Sequence, residues 1–300
     1  MDAIELAYGI LFLVQIVFGV SGNVFLLWVY AQKVCTTHLL NSPDIILAHL
    51  ALANTKALLS RGILDILSAG GLKNFLGDVG CKILLYVYRV SRGLAICTTC
   101  LLSVFQDITI SPGTSQWAGV KTQFHKCILP SFLLCWVLSL LFDMTTLMLI
   151  TGLGNSTNMN FFILKYCSSI SNSTVTALVN AMVLSLRDMF FMGLMSMASG
   201  YMVFVRHRHH QQARHLHGPR YSPKAMPEIR TAKRIIALVT LYVLLHGRNM
   251  ITLSFLLHMK MHSPLILQSN NLMSLTFSAV NPFLMILSDR RIRMFWKRDS

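Results

Sequence analysis

The sequence predicts an all-α membrane protein, a seven-transmembrane-helix bundle with its N-terminus outside and its C-terminus cytoplasmic. Three observations carry that prediction. Only 12% of the 300 residues are charged while 54% are AVILMFWYC, and mean hydropathy is +0.58, a balance unlike that of a soluble globular chain. Seven stretches reach or approach the roughly 20 apolar residues that a spanning helix needs: 4–30, 44–69, 82–108, 127–151, 175–205, 232–257 and 264–287. The basic residues, finally, sort to one side of those spans. Little is left over beyond two tails and short loops, so the chain reads as one domain over 1–300.

The first span follows acidic Asp2 and Glu5, lacks a basic leader and exceeds a signal's apolar core, so it is expected to remain as a helix. Asn41-Ser42-Pro43-Asp44 supplies a cap and an N1-type proline for the second. The third begins at Cys81 and carries Arg89 and Arg92; the fourth contains Trp136. The fifth runs into the His/Arg-rich stretch Arg206–Arg220. The sixth has no proline and only Gly247 as a weak point, whereas the seventh opens at Ser263-Pro264 and is expected to kink at Asn281-Pro282. No internal repeat is visible, which argues against transporters built from duplicated halves.

A net charge of +15 is typical of nucleic-acid binders. Its distribution excludes that reading. With the N-terminus outside, sixteen of the 26 basic residues are cytoplasmic: Lys33, Lys121, Lys126, eight from Arg206 through Arg234 and five from Arg290 through Arg298. Lys73, Lys165 and Lys260 alone fall in outer loops. This positive-inside bias sets the orientation. The cytoplasmic charge suits anionic lipid, and the tail around Phe295 and Trp296 reads as a short amphipathic segment on the membrane.

Seven cysteines leave at least one unpaired. Cys81 and Cys167 are the two expected on the oxidising outer side, and they are assigned as a disulfide. Cys97, Cys100, Cys127 and Cys135 read as small packing residues in helices, and Cys35 as a cytoplasmic thiol beside the first helix. Asn155-Ser156-Thr157 and Asn172-Ser173-Thr174 are glycosylation sequons in the second outer loop; Asn155 is the more accessible and Asn172 lies closer to helix five. These features point to the secretory route and the plasma membrane. His207, His209, His210, His215 and His217 lack a carboxylate or cysteine at ligand spacing, so no metal site is expected. No catalytic constellation or cofactor motif is present, so the chain does not read as an enzyme.

Several segments resemble the vomeronasal type-1 receptors, a family of G-protein-coupled receptors: Gly22-Asn23, Ser60-Arg61-Gly62, Phe124 through Pro130 leading to Trp136, and above all the run from Tyr88 through Gly93 continuing to Cys97-Thr98-Thr99-Cys100-Leu101-Leu102-Ser103-Val104-Phe105-Gln106. The resemblance implies a chemosensory receptor of vomeronasal sensory neurons that binds small pheromone-like molecules and activates an inhibitory-class G protein. Bitter-taste receptors are a neighbouring alternative, and an anion transporter or channel is the alternative from another class. Departures from the wider rhodopsin-like pattern stand out. Phe105-Gln106-Asp107 replaces the acidic-Arg-aromatic triplet, Asn54 stands where a sodium-binding Asp is usual, Met285 follows Asn281-Pro282 at the tyrosine position, and helix six lacks its aromatic-Pro switch. Asp107 and Lys56 are unusual even within the vomeronasal family. Gln106, Asp107, Arg206, Arg208, Lys233 and Arg234 are the residues expected to face the G protein and the inner leaflet.

Five arginines fall inside the bilayer: Arg61, Arg89, Arg92, Arg187 and Arg248. Two central arginines cost helix three roughly 5–7 kcal/mol, about what its apolar residues return, so their guanidiniums must face the bundle interior. All five are expected near one level in the outer half. Two readings stand: structural pairing, with Arg61–Asp65 at i+4 and Asp143 available on helix four, or contact with an anionic ligand, with Tyr88 as an aromatic wall. Arg187 and Asp188 are adjacent, a spacing that points side chains apart. Three acids facing five arginines leave a positive interior, so Tyr88, Arg89, Arg92, Arg187, Arg248 and Arg61 are the candidate ligand contacts.

Overall fold

The computed structural model describes residues 3–37, 42–69, 77–110, 115–152, 167–169 and 264–288, together with most of 182–204 and part of 237–252. In order come α1 (Ala3–Thr37), α2 (Ser42–Ala69), α3 (Gly77–Ile110), α4 (Ser115–Leu149), β1 (Ile150–Gly152) and β2 (Cys167–Ser169). Then follow α5, helical at every described position between 182 and 204, α6, likewise between 237 and 252, and α7 (Pro264–Ser288). The helices form a seven-helix bundle.

Several helices outrun the apolar stretches that announce them. α1 continues to Thr37 and α4 starts at Ser115, twelve residues before its apolar run. An apolar run marks what lipid covers, whereas a helix continues wherever its backbone bonds hold, including the headgroup zone. Lys33, past the end of the apolar stretch of α1, pairs with Asp44 in the first turn of α2 and pins the first interhelical connection. At its other end α4 gives way at Ile150 to β1, which pairs antiparallel with β2 in the register Ile150↔Ser169 and Gly152↔Cys167 and packs against α3.

α3 is the central column. Most of its span is buried, while the spans in α1 and α4 bury only about a third or less of theirs and present Leu13, Val17, Phe18, Leu133, Leu134 and Leu141 outward. This inverted surface suits a lipid surround. Buried side chains of α2 to α7 meet around Ile46, Ile96, Phe132, Met195, Val239 and Phe277. A second core joins Leu26, Leu50, Leu94 and Met285, and a third, Phe12, Leu58, Tyr88 and Leu275.

The Gly22-Asn23 pair has a local explanation at the α1–α7 seam. Proline at 282 has no N–H to give the carbonyl of Ser278 one turn earlier. Asn23 Nδ2 donates to that carbonyl instead, at 3.0 Å, and also to Gly19 O at 2.7 Å. A Cβ on Gly22 would lie 3.0 Å from Pro282 Cγ, so the glycine admits the proline ring. α7 thereby remains one helix through Pro282. Asn54 on α2 is fully buried, and a neutral amide costs less to bury than a carboxylate.

Candidate functional site

Charge flanks helix α3 on two sides. On one side Arg92 Nη2 donates to Asp188 Oδ2 of α5 at 2.8 Å, Arg187 Nε donates to Asp188 Oδ1 at 3.0 Å, and Arg187 Nη1 donates to Asp143 Oδ2 of α4 at 2.9 Å. Arg89 interacts electrostatically with Asp143 and with the like charges of Arg92 and Arg187. Two acids thus serve three arginines among the described residues. Asp143 is wholly buried and the Arg187 side chain 7% exposed, whereas that of Arg92 is 25% exposed. Gly93 shapes the crossing: a Cβ there would stand 3.0 Å from Ser139 Oγ and 3.4 Å from Arg187 Nη1. The pairing of Arg187 with Asp188 corrects the expectation that these neighbours point apart. The long guanidinium arm folds back around the helix to reach its neighbour's carboxylate.

On the other side the charge closes on itself. Arg61 Nε donates to Asp65 Oδ2 at 3.1 Å, the i+4 pair expected, and both side chains are buried. The guanidinium lies over the Tyr88 ring, 5.5 Å from its centroid, a cation–π contact. Tyr88 Oη reaches Ser274 Oγ of α7 at 3.3 Å.

A third polar link joins α2, α3 and α4. Trp136 Nε1 donates to His49 Nε2 at 3.0 Å. An accepting Nε2 leaves the ring proton on Nδ1, which faces Thr98 Oγ1 at 2.9 Å. Lys56 Nζ sits 5.2 Å above the Trp136 ring. His49 is thus a bridge between helices, and no motif announced it because its partners lie 49 and 87 residues away. Gln15 was equally silent in the sequence. Its Nε2 donates to Leu272 O and Thr276 Oγ1 of α7, both at 3.1 Å.

Of the six candidate contacts, the structure gathers Arg89, Arg92 and Arg187 in one network and sets Arg61 with Tyr88 in another. Arg248 is exposed on α6 and makes no ion pair among the described residues. The five arginines therefore do not form one cluster. Cys81 is disulfide-bonded. Cys97, Cys100 and Cys135 are buried free thiols, but Cys127 is exposed rather than packed, as is Cys35. Asn155, Asn172, Arg206, Arg208, Lys233, Arg234 and the side chains of Cys167, Gln106 and Asp107 lie outside the described set. Among the described residues no group of three or more potential metal ligands occurs.

The bundle is similar to the crystal structure of squid rhodopsin, with a TM-score of 0.76 over 98% of this chain and 84% of that one, at 18% identity. Human vomeronasal type-1 receptor 3 is 39% identical over 97% of this chain and 94% of its own length. The Danio rerio olfactory receptor class A-like protein 1 is 30% identical over 98% and 92%. Residues 6–298 match the model of the vomeronasal organ pheromone receptor family. A transporter, a bitter-taste receptor and an enzyme are thereby set aside: the chain belongs to the vomeronasal pheromone receptor family of G-protein-coupled receptors.

Proposed function

We propose that this receptor detects a small, pheromone-like, anionic molecule in the half of the bundle that holds Cys81, and activates an inhibitory-class heterotrimeric G protein at the opposite end. The observation that carries the ligand class is the imbalance on the α4–α5 side of α3, where Arg89, Arg92 and Arg187 share Asp143 and Asp188. A buried surplus cation is matched by an anion or a strong acceptor. Arg92, quarter-exposed, and Arg89 are the contact residues, while Arg187 holds the two acids in place. Arg61 and Tyr88 line the neighbouring side, and Arg248 plays no part.

The N-terminus and the Cys81 end face outward, with Cys81 bridged to Cys167, since Cys81 is disulfide-bonded and the five cysteines other than Cys167 are free. Asn155, and more weakly Asn172, accepts glycan on the same side. Gln106, Asp107, Arg206, Arg208, Lys233 and Arg234 meet the G protein and the inner leaflet of the plasma membrane of vomeronasal sensory neurons. Sulfated steroids should activate the receptor at lower concentration than their neutral parents in a cAMP assay sensitive to blockade of inhibitory G proteins. Equal potency of the two sets would remove the anionic reading. A response that survives the blockade would remove the G-protein assignment.

A further inference from the structure

Helix α7 between Leu272 and Thr276 is the meeting point of three other helices. Gln15 of α1 bonds Leu272 O and Thr276 Oγ1, and Tyr88 of α3 bonds Ser274. Arg61 of α2 lies over that tyrosine. α1 and α2 touch one residue further along each chain, where a Cβ on Gly62 would stand 2.5 Å from Ile16 Cδ1. Gln15 and Arg61 precede the two residues of that contact by one position, and Phe12, Leu58, Tyr88 and Leu275 pack together in one apolar cluster.

Two polar atoms of this ring are buried and lack a hydrogen-bond partner among the described residues: Arg61 Nη2, a donor, and Gln15 Oε1, an acceptor. The orientation of the Gln15 amide is fixed, because only its nitrogen can bond the Leu272 carbonyl. Arg61 is 5% exposed, and its charge is already matched by Asp65. What the ring lacks is thus neither an anion nor a cation. It lacks an oxygen that both accepts and donates.

We propose that the ring of α1, α2, α3 and α7 binds a hydroxyl group of the ligand, which accepts from Arg61 Nη2 and donates to Gln15 Oε1. The proposal rests on the receptor reading above and gives the ligand a second pole: a neutral hydroxyl on one side of α3, an acidic group on the other. A buried water has the same bonding capacity, and the experiment separates the two sources.

Cells expressing the full chain are challenged with a sulfated steroid bearing a second, free hydroxyl, with the matching sulfate carrying hydrogen there, and with the unsulfated parents of both. The hydroxyl compounds should be about tenfold more potent than the hydrogen compounds, the usual worth of one buried hydrogen-bonding site. That ratio should fall to about one in Gln15→Met and in the double variant Arg61→Met/Asp65→Leu, which removes the ion pair without leaving a bare charge. Surface staining of an N-terminal tag reports folding of each variant. Equal potency of hydroxyl and hydrogen compounds on the unaltered receptor, the result a resident water gives, would overturn the proposal. So would silence to all four, or a tenfold ratio that survives in a variant at normal surface level. A lost difference between sulfated and unsulfated compounds with the hydroxyl ratio intact would instead sink the anionic site and leave this one standing.

Discussion

The two charge clusters beside α3 use the same residue types and behave as opposites. Arg61 and Asp65 lie one turn apart on a single helix, so forming α2 already brings them together. The Arg92–Asp188–Arg187–Asp143 network draws on three helices, with partners 96 and 44 residues apart in sequence, and exists only when the bundle does. The first is balanced, one acid to one base. The second, among the described residues, holds three arginines against two acids, and Arg92 in it is a quarter exposed. In a bilayer interior, a charge imbalance makes a place for a charged visitor, whereas a balanced pair has only neutral hydrogen bonding left to offer.

Substitutions can break that contrast, beginning with the most damaging. Asp143→Ala leaves Arg187 buried with Asp188 alone, an acid it shares with Arg92, and should cost about 3 kcal/mol, the lower end of the penalty for breaking a buried pair. Surface expression and the thermal midpoint of the purified receptor should both collapse, and a variant that reaches the surface normally would show that α4 is not held by this acid. Gly93→Ala forces a methyl toward Ser139 and Arg187, for an expected loss of about 1–3 kcal/mol. Its double with Ser139→Ala should recover part of the midpoint if crowding at that crossing is the cause.

Milder changes sharpen the comparison. Trp136→Phe keeps an aromatic ring under Lys56 but removes the N–H given to His49, and about 1 kcal/mol should be lost from the midpoint. Arg92→Gln should cost little stability, about 1 kcal/mol, because the Arg92 side chain is a quarter exposed and Arg187 still serves Asp188. The same variant should erase any preference for sulfated over neutral ligands. A preserved preference would move the anion contact away from Arg92.

Much of this was readable from the chain, and the reason differs by element. Apolar length located the helices, since lipid demands it, but could not find Ser115 or Thr37 as ends because the headgroup zone tolerates charge. The i+4 rule found Arg61–Asp65. It misled at Arg187, where a long, flexible side chain overcame the divergence of neighbouring Cα–Cβ vectors. His49, Gln15 and Ser274 gave no local signal, for their partners are set by how helices distant in sequence face one another.

The network around Arg92 and Arg187 also sets an order of events in biosynthesis. The chain emerges N-terminus first, so α2 enters the membrane with Arg61 and Asp65 already matched. α3 arrives with Arg89 and Arg92 while Asp143 and Asp188 are still to be translated. Its residence in the bilayer is provisional until α4 and then α5 follow. The translocon and the endoplasmic reticulum thus receive a helix that only later neighbours can settle, and slow export to the cell surface is the expected cellular cost of a charged interior.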